Sequence, residues 1–278
     1  MTSCNLKPQA RQKWKGVSSQ GCLLLLLCLS FGAGHAGDFS DIDQAIGKAE
    51  ELAARGKIEE AELDYRNALS LTIAKFGSFH AATAGVNRRI ATFLLEQNRL
   101  VEAERHLQKA LVITSGYSPA AALNGEFRGV SVFCANALQN PDSLPGSFEL
   151  ADVLEGYANL YCRRGSYADA ERLLKTCARI LPAAPAQQPY LGALPQSEDS
   201  QARTRVVLQL ASVQARQSKV VEAEQTLQAL KASLKTRKET SSAELIKVLK
   251  ALAEFYREQR RQSDAETSEA EAASLNQR

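Results

Sequence analysis

KFGSFHAATAGVNRRIATFLLEQNRLVEAERHLQKAL, residues 75–111, is the stretch that decides the fold. Apolar side chains recur at three- and four-residue steps on both sides of its centre: Ile90, Ala91, Leu94 and Leu95 before it, Leu107, Ala110 and Leu111 after it. Residues three and four apart share one face of a helix, so each run describes an amphipathic helix. Asn98 stands where the chain must reverse, and Asn is the residue after Gly that best tolerates a left-handed backbone. The stretch predicts two antiparallel helices joined by a tight turn.

The pattern recurs along the chain. Residues 52–69 read LAARGKIEEAELDYRNAL, 161–178 read YCRRGSYADAERLLKTCA, 214–231 read QARQSKVVEAEQTLQALK and 256–273 read YREQRRQSDAETSEAEAA. Each copy holds an Ala followed by Glu, at Ala61, Ala103, Ala170, Ala223 and Ala265, with successive intervals of 42, 67, 53 and 42 residues. Two intervals are identical, and the other two exceed them by insertions. The turn position carries Gly56 and Gly165 in two copies, where a left-handed conformation costs little, and the less suited Ser218 and Arg260 in the last two. The alanine marks where the two helices approach most closely, because a larger side chain there would overpack the contact.

These residues resemble the tetratricopeptide repeat, a helix–turn–helix unit, and the 42-residue interval is similar to its kinesin-light-chain-like variety. That variety joins repeats through a Gly-x-x-His-Pro element. Gly77, Ser78, Phe79 and His80 follow it, with Ala81 in place of the Pro. The resemblance implies an all-α, right-handed superhelical solenoid of helical hairpins. It places small first-helix residues at Ala49, Ala91, Ala158, Ala211 and Ala253, opposite the five Ala-Glu alanines. A later second-helix small site falls on Ala68, Ala110, Cys177, Leu230 and Ala272, which makes Cys177 an Ala substitute. His80 reads as a structural turn residue, and His106, beside Glu102 and Glu104, as a solvated surface residue.

Prolines mark two interruptions, since Pro removes a helix donor and clashes with the preceding turn. Pro119, Pro141 and Pro145 bracket a first insert, and Pro182, Pro185, Pro189 and Pro195 a second. The expected organisation is a leader over 1–36, repeats one and two over 37–115, an insert over 116–147 and repeat three over 148–181. A Pro-rich loop over 182–202 then leads to repeats four and five with a C-terminal cap over 203–278. FRGVSVFCANAL in the first insert suits a short helix or an extended segment, packed on the array to keep its apolar side chains from water. Both inserts are read either as partner-specific additions or as spacers.

The leader has a cationic, acid-free start, an apolar core GCLLLLLCLSFGA and small residues near Ala36. That order is that of a secretory signal peptide cleaved near Ala36. The competing reading is a membrane anchor, but the run of 13 apolar residues is short of the about 20 that a spanning helix needs. The expected location is therefore secreted or periplasmic. The 34 Lys+Arg exceed the 31 Asp+Glu only because the leader holds Lys7, Arg11, Lys13 and Lys15. Without it the chain is near neutral, which argues against nucleic acid as partner. Outside the leader only His80, His106, Cys134, Cys162 and Cys177 remain as candidate ligands or nucleophiles. No CxxC, H-E-x-x-H, G-x-S-x-G or phosphate loop accompanies them, so no cofactor, metal or catalytic site is expected. The three cysteines read as apolar fillers, with a bridge in an oxidising compartment as the alternative.

Stacked hairpins leave a groove lined by their first helices. By position in the resembled family its lining is Asp43, Ile46 and Glu50, then Arg88 and Thr92, then Asp152, Glu155 and Asn159. Arg205, Leu208 and Ser212 follow, then Lys247, Lys250 and Glu254. The chaperone-binding Lys/Asn clamp of the family is missing, because Ile46 and Glu50 occupy its first-repeat positions. The alternating charges suit a protein partner presenting an extended peptide with both signs. The function expected is a non-catalytic, monomeric scaffold without membrane attachment after cleavage. An accessory module or enzyme with a site at the inserts is the alternative.

Overall fold

The computed structural model describes residues 40–115, 134–141, 147–181, 196–236 and 242–276. The leader, most of the first insert and Pro182–Pro195 of the second lie outside these residues. Among the described residues there is no strand. Five hairpins follow one another: α1 (Ser40–Ala54) with α2 (Ile58–Phe76), α3 (Ala81–Glu96) with α4 (Leu100–Thr114), and α5 (Phe148–Arg163) with α6 (Tyr167–Ile180). The last two are α7 (Gln196–Arg216) with α8 (Val220–Thr236) and α9 (Ser242–Glu258) with α10 (Gln262–Asn276).

Small side chains set the helix spacing within each hairpin. Ala61, Ala103, Ala170, Ala223 and Ala265 are all fully buried, and Ala49, Ala91, Ala158, Ala211 and Ala253 are buried on the first helices of the same hairpins. Cys177 is fully buried at the later small site, with its thiol donating to the Ala151 carbonyl at 3.3 Å. The helices come close because only methyl groups face each other at the Ala-Glu contacts, and the surrounding Leu and Val side chains close the rest of the gap.

All five turns have one geometry. Gly56, Asn98, Gly165, Ser218 and Arg260 have φ of 77°, 59°, 76°, 62° and 59°. In each, the left-handed residue donates its N–H three residues back, and the next residue donates five back: Gly56 to Ala53 and Lys57 to Leu52, for example, both at 2.9 Å. Arg260 and Arg261 do the same to Arg257 and Tyr256, at 2.9 and 2.8 Å. This paired closure satisfies the last carbonyls of the first helix and reverses the chain in three residues. Packing is strong enough to hold Ser218 and Arg260 there against their own preference.

Consecutive hairpins are fastened by the Glu of the Ala-Glu pair. Glu62 meets Arg99 at 2.6 Å, Glu104 meets Arg164 at 2.5 Å, Glu171 meets Lys219 at 2.5 Å and Glu224 meets Arg261 at 2.7 Å. In every case the cation sits at or beside the turn of the next hairpin. Glu171 is the most buried of these carboxylates. Burial by itself would raise its pKa, but hydrogen bonds from Lys175, Lys219 and Gln217 outweigh that and bring it down to about 2.

The insertions leave the stacking intact. α5 packs directly on α3 and α4. Residues 134–139 of that insert are helical, and Cys134, Ala137 and Leu138 are buried. The short-helix reading holds for these residues; Phe127, Val132 and Phe133 lie outside the described ones. One boundary needs correction. α7 begins at Gln196, inside the span expected to be loop up to 202, because the obstacle to helix ends with Pro195. α7 also joins two apolar clusters: Ala202, Val206, Leu210 and Val213 face hairpins one to three, whereas Val207 and Ala211 face hairpins four and five.

Candidate peptide-binding groove

The stripes of the first helices expected to line a groove are held in part by bonds between neighbours. Arg88 Nε on α3 lies 3.4 Å from Asp152 Oδ2 on α5. From the other side, Arg205 on α7 reaches Asp152 Oδ1 at 3.3 Å and grips Glu155 with Nε and Nη2 at 2.8 and 2.7 Å. The two-pronged contact to Glu155 raises the Arg205 pKa, the effect of burial being smaller and opposite. Gln209 donates to Asn159 in the same interval. One hairpin earlier, Arg89 Nη1 bonds Glu50 Oε1 at 2.5 Å, again from one first helix to the preceding one.

Arg88, Asp152, Arg205 and Glu155 are thus brought together as a connected polar ladder across hairpins two to four, and Asn159 pairs separately with Gln209. The alternating signs read from the sequence are matched internally there. Asp152 and Glu155 are largely covered, at 18% and 11% side-chain exposure, while Arg205 remains 56% exposed above them. The outer parts of the stripe differ. Thr92, Ser212, Lys247, Lys250 and Glu254 are exposed. Among the described residues, Lys247, Lys250 and Glu254 form no ion pair. Asp43 is likewise exposed at the opposite end. Ile46 is a correction: it is buried on α1 and belongs to the apolar core, because its face of the helix packs inward rather than toward the open side.

The histidines divide. His80 caps α3, its Nδ1 accepting from the Ala82 N–H at 3.1 Å and its ring stacking on Phe76 at 4.9 Å. With Thr83 Oγ1 donating to the Gly77 carbonyl at 2.7 Å, the Gly-x-x-His junction is a built turn even without its Pro. His106 is not the solvated residue expected. It is partly buried between α3 and α4, with Nδ1 at 2.9 Å from Asn87 Oδ1. Asn87 Nδ2 already donates to the Thr83 carbonyl at 2.8 Å, so its oxygen accepts and His106 Nδ1 carries a proton. Desolvation, then the charge of Lys109, pushes the His106 pKa down to about 4. The helical periodicity put His106 on the rim, and the Asn87 partner across the hairpin was not legible in it.

Cys134, Cys162 and Cys177 are free thiols. Burial raises the pKa of each, that of Cys134 to about 11, which disfavours the thiolate needed for nucleophilic or redox chemistry. Among the described residues no group of three His, Cys, Asp or Glu side chains could hold a metal ion. No described helix is long and apolar enough to cross a membrane.

No protein-family model and no curated protein matches the chain. Its backbone does match solved structures. One is a Podosopora anserina protein named for kinesin light chain and built from nearly identical TPR-like repeats. It is 15% identical, with a TM-score of 0.55 over 85% of this chain and 95% of that one. A single-substitution variant of it gives 0.57 at 14% identity, over 85% and 94%. BtubC (BKLC) of P. vanneervenii gives 0.56 at 14% identity, over 87% of this chain and 89% of that one. At such identity the likeness shows the fold: the chain is an all-α solenoid of stacked, TPR-like helical hairpins.

Proposed function

We propose that this protein is an exported, non-catalytic scaffold that holds an extended segment of a partner protein along its first helices. The observation that carries the reading is the unevenness of the stripe. Its centre is a fixed ladder from Arg88 to Arg205, whereas Lys247, Lys250, Thr92 and Ser212 stay exposed for a ligand. A partner segment with basic residues toward Asp43 and acidic residues toward Lys247 and Lys250 matches the two ends by charge. Asp152, Glu155 and Asn159 then shape the floor rather than supply free charges. Such a ligand is a peptide and not a nucleic acid, because acids line the stripe as densely as bases.

Export rests on the leader, and cleavage near Ala36 leaves the α1 helix close to the new N-terminus. The test places a photo-crosslinking residue at Thr92 or Ser212 in cells of the source organism, followed by identification of the adduct. One dominant partner, lost when Lys247 and Lys250 are both changed to Glu, supports the assignment. Crosslinks that ignore those two substitutions refute it. N-terminal sequencing of the exported chain checks the cleavage, expected to start within a few residues of Gly37.

A further inference from the structure

Gly47, Gly85 and Gly156 stand inside first helices, where glycine weakens a helix relative to alanine. Packing explains Gly156, because a Cβ there would lie 2.6 Å from Leu107 Cδ2. Gly47 holds the register of Arg89 and Gln209, which reach back to a preceding first helix, and α1 has none among the described residues. Gly85 has no such reason. Its backbone is ordinary helix, and a Cβ would meet no atom within 4 Å.

Gly85 interrupts a row of charges. Six residues before the buried Ala of each first helix stand Asp43, Gly85, Asp152, Arg205 and Lys247. Two pairs of first helices meet in one register. Arg89 bonds Glu50 between α3 and α1, and Gln209 bonds Asn159 between α7 and α5, each from two residues before the buried Ala to one after it. α3 therefore stacks on α1 as α7 stacks on α5. In the later pair Arg205 reaches Asp152 at 3.3 Å. In the earlier pair Asp43 takes the place of Asp152, and Gly85 takes the place of the arginine. Asp43 is exposed and, among the described residues, forms no ion pair. Arg88 and Arg89, next along α3, are already matched to Asp152 and Glu50. The earlier pair keeps the carboxylate and lacks its cation.

We propose that Gly85 is a notch in the groove for a long basic side chain, Arg or Lys, of the bound partner segment. The stem lies along the bare turn of α3, and the charged head meets Asp43. Basic side chains combine the two properties needed, an apolar stem that covers nonpolar surface and a cation at its tip. The ligand thereby supplies the charge that Arg205 supplies from within the chain two hairpins further on. Ile46, in the register of Glu155, is buried, so the notch offers the incoming cation a single carboxylate. An acidic side chain there would face Asp43 with like charge. The assignment rests on the groove reading and adds to it the residue that selects the basic position of the ligand.

Selection of random dodecapeptides displayed on phage against the purified chain tests this. The selected sequences are expected to share one Arg or Lys at a fixed distance from their acidic residues. A synthetic peptide of that sequence, followed by fluorescence anisotropy, should bind about tenfold or more weakly to Gly85→Arg and to Asp43→Asn. Replacing its basic residue by Gln should cost about as much, and the losses from that change and from Asp43→Asn should not add. Gly85→Ala should raise the melting temperature, since no contact of the fold needs the glycine; a lower one would assign Gly85 to folding and overturn the notch. Full affinity in both Gly85→Arg and Asp43→Asn, with binding still lost when Lys247 and Lys250 are changed to Glu, overturns the notch and leaves the groove. Binding indifferent to Lys247 and Lys250, or no peptide selected at all, refutes the groove and the notch with it.

Discussion

A methyl group at five places governs how near the two helices of each hairpin lie. Ala103 and Ala170 have no exposed surface. Ala103→Phe is expected to destabilise by about 1–3 kcal/mol or more, read as a lower urea midpoint, whereas Ala→Ser at the exposed Ala81 should shift it within error. His106 gives a different kind of test. Its folded pKa of about 4 lies below the ordinary 6.5. The unfolded chain therefore binds the proton more readily, and stability present above pH 6.5 is lost as the pH falls toward 4. Urea midpoints measured across this range should decline in the wild type and decline less in His106→Gln. Parallel curves would show that the ring is not desolvated in solution.

Each hairpin is decided by its turn as much as by its faces. Ser218 and Arg260 hold left-handed backbone that costs a side-chain-bearing residue about 1–2 kcal/mol and Gly almost nothing. Ser218→Gly and Arg260→Gly should therefore raise the melting temperature, and Gly165→Ala should lower it; an unchanged or reversed order would mean the turns are not held as described. Between hairpins, Glu171→Gln removes the charge that Lys175 and Lys219 share and leaves them facing one another. A loss of about 1–3 kcal/mol is expected, larger than for Glu62→Gln, whose carboxylate is more exposed. Equal losses at the two sites would deny burial its role.

At the scale of the molecule, stability runs from neighbour to neighbour, as in any stacked array. α7 is the shared element, giving one face to the apolar cluster before it and the other to the cluster after it. Removing residues 237–278 should strip the cover from Val207, Ala211, Leu230 and Leu234, lower the urea midpoint and increase binding of a hydrophobic dye. An unchanged midpoint would show that the last hairpin is not stacked on the rest. α10 itself buries only small residues, Ala265, Ser268 and Ala272, and turns a polar outer surface to water, which suits the closing end of an array.

What the residues alone determined is the set of relations that act over a few positions. Helix faces, five small contact sites and the left-handed turns at Gly56, Asn98 and Gly165 are local, because periodicity, side-chain volume and backbone preference are read within about twenty residues. Cys177 at its small site and the structural role of His80 at its turn belong to the same group. Tertiary structure decided the rest. Arg205 and Glu155 stand 50 residues apart, and His106 and Asn87 lie on opposite helices. Whether such charges meet each other or a ligand depends on how far each hairpin is rotated from the last. That rotation arises from packing summed over the whole array, and no short stretch of sequence contains it.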